Sequence, residues 1–179
     1  MEKTVFILLG PSGQGKRSAA KYLEDLGVKK VVTHTTRSMR DGEIDGVDYY
    51  FITRPMMNKV PGFLRTNYMG NHVKLSEEEY QQTLLTQQRS YITLEAQGVI
   101  ELRERLEIEK PDHKVKVLYF VNNEPEDETR AYDIVHRRER GKYRHEYNNH
   151  DLADEIFENV SFDEIKERLF TLVTESIEE

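Results

Sequence analysis

Thr4-Val5-Phe6-Ile7-Leu8-Leu9-Gly10-Pro11-Ser12-Gly13-Gln14-Gly15-Lys16 runs from an unbroken apolar stretch into a glycine-punctuated turn. Arg17-Ser18-Ala19-Ala20-Lys21-Tyr22-Leu23 then continues with helix-forming residues. The order of elements (buried strand, tight turn, helix) matters as much as the letters. Gly10, Gly13 and Gly15 allow the positive or cramped backbone angles that turn successive N–H groups inward on an anion. The helix that follows aims its N-terminal partial positive charge at the same point. Lys16 is placed to reach the outer phosphates of a nucleotide. The pattern G-x-x-x-x-G-K-[ST] holds up to its last letter, where Arg17 stands and Ser18 brings the hydroxyl one place later. The plain alternative is a strand–turn–helix that only looks phosphate-binding; the apolar strand before the turn and the helix after it argue against that. The stretch predicts a chain that binds nucleoside phosphates through Gly10, Ser12, Gly13, Gln14, Gly15, Lys16, Arg17 and Ser18.

Composition bounds the rest. A chain of 179 residues is enough for one domain with a sizeable core. Net charge is −7, with 33 acidic against 26 basic residues, which argues against sequence-independent nucleic-acid binding. The basic residues cluster at Arg37–Arg40 and again from Arg130 to Arg144, which suggests local anion handling. With no cysteine, neither a disulfide framework nor a thiolate zinc site can form. No apolar stretch approaches transmembrane length and the start has no signal-peptide layout, so the expectation is a cytoplasmic protein without membrane partners.

Outward from the opening strand, Gly27 is placed to end the first helix, and Lys29–Thr33 reads as a short strand. Residues 34–48 read as loop, with turn signals at Asp41-Gly42 and Asp45-Gly46. Asp48–Thr53 has the aromatic and β-branched content of a strand, and Pro55 and Pro61 mark turns. Ser76-Glu77-Glu78-Glu79 is a capping box that predicts a helix through about Gln88. Tyr91–Glu95, Val115–Val121 and Ile156–Val160 read as strands, Gly98–Leu106 as helix, and 127–147 as polar, Arg-rich helix. Ser161-Phe162-Asp163-Glu164 opens a last helix with Ile165, Leu169, Leu172 and Val173 on one face. Strands alternating with helices imply a mostly parallel sheet covered on both sides. His34, His136 and His145 follow no metal-ligand spacing and read as surface residues.

Thr33-His34-Thr35-Thr36-Arg37-Ser38-Met39-Arg40-Asp41-Gly42-Glu43-Ile44-Asp45-Gly46-Val47-Asp48-Tyr49-Tyr50-Phe51 is more specific than the loop. It closely resembles the nucleoside-monophosphate segment of guanylate kinases, S-x-T-T-R-x-x-R-x-G-E-x-x-G-x-D-Y-x-F. Thr93-Leu94-Glu95-Ala96-Gln97-Gly98 is a weaker echo of that family's D-x-D-x-Q-G, and Glu158-Asn159 falls where the family has a strand ending in Asn. The resemblance implies an α/β, P-loop NTPase-type three-layer sandwich with a mostly parallel central sheet. It also implies one domain over residues 1–179: a core of about 1–32, 89–123 and 151–179, an acceptor-binding insertion of about 33–88, and a short Arg-rich lid of about 124–150.

Arg37 and Arg40 stand three residues apart, each with a planar fork that can grip phosphate oxygens in two places. The resemblance implies that they hold the acceptor's 5′-phosphate together with Tyr49, with Thr33 nearby and Glu95 toward the acceptor base or a metal-bound water. It implies ATP and Mg²⁺ as cofactors, Lys16 and Arg37 as catalytic residues, Ser18 as the hydroxyl on the metal, and Asn159 on the donor side. The closing catalytic charge is expected from Arg130, Arg137, Arg138, Arg140 or Arg144, of which Arg138 fits best by its distance back from Asn159. Nucleotides are the expected partners, and the expected assembly is a monomer or homodimer. Three functions stay in view: a nucleoside-monophosphate kinase acting on GMP or a related nucleotide, a non-catalytic binding module of the same shape, and a phosphokinase acting on a phosphorylated sugar. Arg65 stands where the family reads guanine with an acid after Phe-Leu. Val73 and Leu75 replace a phosphate-binding Tyr and a base-binding hydroxyl, and Thr93 replaces the first acid of the pair. These departures predict poorer discrimination between bases, or poorer catalysis, than in a typical member.

Overall fold

The computed structural model describes residues 3–11, 13–68, 70–121 and 149–178. In chain order its first half holds β1 (Lys3–Leu9), α1 (Lys16–Asp25), β2 (Lys29–Lys30), β3 (His34–Thr35), β4 (Tyr50–Phe51), α2 (Arg54–Met57), β5 (Gly62–Tyr68) and β6 (Asn71–Ser76). There follow α3 (Glu77–Glu79), continued by a π-turn over Tyr80–Leu84, then β7 (Arg89–Thr93), α4 (Ala96–Glu109), β8 (His113–Val121), β9 (Glu155–Glu158) and α5 (Phe162–Glu178).

β1 lies at the centre of a five-stranded parallel sheet ordered β2-β7-β1-β8-β9. A parallel strand covered on both faces must be apolar throughout, which is why Val5 to Leu9 carries no polar residue. Alternate side chains feed two cores. Phe6 and Leu8 pack with Ala19 and Leu23 of α1 and Ile165, Leu169 and Val173 of α5. Val5, Ile7 and Leu9 pack on the other face with Val99, Leu102 and Leu106 of α4. The result is three layers, helix–sheet–helix, with the strand ends that precede the glycine turn gathered along one edge.

Both serine N-caps form: the Ser76 hydroxyl accepts the Glu79 N–H and the Ser161 hydroxyl accepts the Glu164 N–H, each at 3.2 Å, while the Glu79 carboxylate accepts from the Tyr50 hydroxyl rather than from the Ser76 N–H. Gly27, at φ 81°, ends α1 as its N–H turns back onto the Glu24 carbonyl. Several boundaries differ from the sequence reading. Pro55 sits in the first turn of a short helix rather than a turn, where its missing N–H costs nothing. Only Tyr50–Phe51 of the 48–53 stretch is strand, because residues 44–49 close a turn around Asp48, whose carboxylate accepts the Ile44 N–H. The helix after Ser76 ends at Leu84 in a wide turn, with Leu85 N–H reaching the Tyr80 carbonyl.

A second sheet, ordered β4-β3-β6-β5, stands beyond the C-terminal edge of β2. Its β5–β6 hairpin has no counterpart in the sequence reading, and neither does β3, which lies in the stretch read as loop. Between Phe63 and Thr66 one extra residue enters β5, and Leu64 takes φ 57° there. This bulge keeps Leu64 buried against the α4-side core and breaks the period-2 pattern by which a strand is recognised. Lys74 of β6 is itself buried and donates to the Met57 and Val60 carbonyls at the end of α2, both at 2.9 Å. His34 lies half-buried against the Tyr50 ring, 4.7 Å between centroids, rather than on the surface. Burial lowers its pKa, so it is neutral at neutral pH. His136 and His145 lie outside the described residues.

Candidate active site

The glycine turn leaves β1 at Gly10, whose φ of 135° places Hα where a side chain would collide. A Cβ there would lie 2.2 Å from the Phe120 carbonyl of β8. Gly13 and Gly15 also hold positive φ, and Gly15 caps α1 with its carbonyl taking the Ala19 N–H. Lys16 folds back over the turn, donating to the Gly10 carbonyl and to that of Pro11 at 2.5 Å. Gln14 is buried in the turn. Arg17 and Ser18 are exposed on the first turn of α1, and Ser12 lies outside the described residues.

Arg37, Arg40 and Tyr49 are organised by a residue the sequence reading quoted but assigned no role, Glu43. Its side chain is 2% exposed. Arg37 grips it with both forks, Nη1 to Oε2 at 2.8 Å and Nη2 to Oε1 at 2.9 Å. The Arg40 N–H donates to Oε2 at 2.7 Å, and Arg17 Nη2 reaches Oε1 at 3.3 Å. Burial pushes the Glu43 carboxyl up, but the Arg37 hydrogen bonds, the Arg40 N–H and both guanidinium charges outweigh it and hold the pKa below its ordinary 4.5. The Glu43 hydrogen bonds in turn raise the Arg37 pKa. The Arg37 guanidinium also lies 5.2 Å from the Tyr49 ring centroid and 5.4 Å from that of Phe51, so its plane is fixed on two sides. Burial raises the Tyr49 pKa, keeping its hydroxyl a proton donor. A carboxylate three residues after one arginine and six after another was the available signal for Glu43.

Thr33 is buried and its carbonyl accepts the Tyr50 N–H, so it shapes the entry to β4. The Thr35 hydroxyl accepts the Arg37 N–H at 3.2 Å and fixes the turn from which that arginine projects. Glu95 caps α4 just past β7, and the Leu94 N–H bonds the Leu8 carbonyl, which puts Glu95 beside the strand end that feeds the glycine turn. Asn159, at φ 50°, follows β9 on the same edge and donates its N–H to the Val121 carbonyl. Arg138 lies outside the described residues, as do Arg130, Arg137, Arg140 and Arg144. The arrangement therefore brings the glycine turn and the Arg37–Tyr49 cluster to one seam, joined by the Arg17–Glu43 contact. Leu75 does not face that seam; it is fully buried in the α4-side core with Leu64.

The donor set suits nucleotide phosphates and a hard cation held mainly by them. Among the described residues no cluster of three or more His, Cys, Asp or Glu could hold a metal unaided. Magnesium does not require one, since it keeps most of its waters and takes one or two protein oxygens. Among the described residues no helix is long and apolar enough to cross a membrane.

The profile of the guanylate kinase family matches residues 2–175. Guanylate kinase of Pseudomonas fluorescens strain Pf0-1 is 38% identical over 106 residues, covering 56% of this chain and 52% of that protein. That of Bacillus subtilis strain 168 is 33% identical over 106 residues, covering 55% and 52%. The aligned region thus spans about half the length of these relatives. The crystal structure of guanylate kinase from Anaplasma phagocytophilum superposes with a TM-score of 0.72 over 97% of this chain and 86% of that one, at 17% identity. At that identity the likeness concerns the fold.

Proposed function

Because the chain belongs to the guanylate kinase family, we propose that it transfers the γ-phosphoryl group of ATP to GMP or a related nucleoside monophosphate. The observation that carries this reading is the preassembled Arg37–Glu43–Tyr49 clamp standing one ion pair away from the glycine turn. Phosphoryl transfer needs positioning and charge stabilisation more than covalent chemistry. The N–H groups of the glycine turn from Gly13 to Lys16 and the Lys16 ammonium hold the donor phosphates, with Asn159 at the far side of the strand edge. Arg37, Arg40 and Tyr49 hold the acceptor phosphate, whose attacking oxygen is already anionic and needs no general base. Bound magnesium would neutralise charge on the donor phosphates; Ser18 would hold it, directly or through water, and Glu95 serves either a metal-bound water or the acceptor base. Closing charge over the transferred group is assigned to Arg138.

The base pocket is the distinctive part. The base-binding hydroxyl position is taken by Leu75, which is turned into the core, while Arg65 stands in place of the acid that reads guanine and Thr93 in place of the first acid of the pair. Glu95 alone is left to accept hydrogen bonds from guanine, so phosphate recognition outweighs base recognition.

Replacing Lys16 by Met tests the reading. Incubated with ATP, Mg²⁺ and GMP, the parent releases ADP and the variant does not, while circular dichroism and melting temperature stay those of the parent because the cradle is mostly backbone. Unchanged turnover in the variant, or no turnover of any monophosphate by the parent, refutes it.

A further inference from the structure

Arg17 occupies the position where the phosphate-loop pattern carries a hydroxyl, and its side chain turns away from the loop toward Glu43. We propose that Arg17 is a positioning residue that ties the acceptor clamp to the donor helix, presetting the cleft for transfer; its consequence for acceptor binding rests on the kinase reading above. Glu43 has about four lone-pair sites in its plane. Three are filled from within its own segment, two by Arg37 and one by the Arg40 N–H; the fourth is filled from α1, by Arg17. One end of the pair is thus a buried carboxylate that cannot move without releasing Arg37. The other end is a guanidinium on the first turn of the helix that caps the phosphate cradle. A second tie acts on the same segment, Lys30 of β2 reaching Asp48 at 3.9 Å with its ammonium 5.9 Å from the Tyr49 ring centroid. Ser or Thr at position 17 is too short to reach across. The tie costs the metal its usual hydroxyl and gains a clamp already set against the donor loop.

The Arg17 side chain is 74% exposed, so the pair is screened by salt and modest in size. The test compares parent, Arg17→Gln and Arg17→Lys. In the protein alone, amide exchange over residues 37–48 should quicken in Arg17→Gln and recover in Arg17→Lys, with β1 and β8 unchanged. In 1 M salt the parent should approach Arg17→Gln. GMP affinity, by calorimetry and as KM, should fall about fivefold in Arg17→Gln, the change that an exposed pair can carry, with ATP affinity measured without GMP unchanged. Unaltered exchange in residues 37–48 overturns the tie. Faster exchange with unaltered GMP affinity, or a loss confined to ATP affinity, overturns its role in acceptor placement. A parent that shows the exchange pattern yet phosphorylates no monophosphate refutes the kinase reading and leaves the tie standing.

Discussion

With donors on every lone-pair direction of its carboxylate, Glu43 makes Arg37 a fixed fork rather than a mobile surface charge. A lysine at position 37 keeps the charge but cannot make two parallel bonds, nor stack on Tyr49 and Phe51. Arg37→Lys should therefore weaken monophosphate binding about tenfold, the scale of one charge-assisted hydrogen bond, with ATP affinity unaffected. An effect on ATP alone would place Arg37 on the donor side. Glu43→Gln puts an amide N–H against a guanidinium and should cost about 2 kcal/mol of stability. The sign of the pH dependence follows from the depressed Glu43 pKa. The unfolded state holds its proton more tightly, so the contribution is complete above the ordinary carboxyl range and is lost as pH falls through the depressed value. The melting-temperature gap between parent and Glu43→Gln should be constant above about pH 5 and shrink below about pH 4. A gap that widens in acid would contradict the assignment.

Between elements, Arg105 of α4 joins the central layers to the second sheet. Its guanidinium lies 3.9 Å from the Phe63 centroid of β5 and 4.2 Å from that of Tyr80, and pairs with Glu77 at 3.0 Å and Glu109 at 2.9 Å. Tyr80 completes the contact by donating its hydroxyl to Glu109 at 2.9 Å. Such a cation fills volume between two rings as well as carrying charge. Arg105→Ala should cost about 2 kcal/mol, by summing two ring contacts and two part-exposed ion pairs, which lowers the melting temperature by roughly 4–8 °C for a chain of this size. Exchange in β5 should quicken more than in β1. An unchanged melting curve would mean that α4 is held by its Val99, Leu102 and Leu106 face alone.

Across the whole molecule, phosphate recognition and base recognition are, on the proposed reading, built from different parts. Arg37, Arg40 and Tyr49 sit on the segment closed by Glu43, whereas the positions proposed to read the base fall on β5, on β6 and at the end of β7, where Arg65, Leu75 and Thr93 stand. A pocket that hydrogen-bonds a base rejects the wrong one by about 10⁴ or more, because unmatched polar groups are left buried. With Leu75 in the core, that penalty is largely absent. The kcat/KM for GMP should exceed that for AMP by less than about 100-fold, and deoxy forms should be accepted. A panel of GMP, AMP, their deoxy forms and small phosphorylated sugars measures this. Rapid turnover of GMP with all others ignored would show that other residues have rebuilt a guanine pocket.

The amino-acid sequence by itself determined those features whose causes lie within a few residues of one another. The apolar run ending in Gly10, the helix begun at Lys16, the Ser76 and Ser161 caps and the clustering of Arg37, Arg40 and Tyr49 all depend on local backbone preference, helix-end satisfaction or sequence spacing. Membership of the family was legible for the same reason, since its motifs are short and contiguous. Tertiary structure alone decided what depends on distant partners. The β5–β6 hairpin exists because bulged Leu64 and Leu75 share the α4-side core; the bulge breaks the alternation of residues 62–68, and only the short run His72 to Ser76 alternates. Position 75 became core rather than pocket through that same register. Glu43 reads as one more surface acid until Arg17, 26 residues earlier, and Arg37 close on it. Its burial is favourable only once donors from both segments have replaced water around the carboxylate, and that exchange is a property of the folded chain.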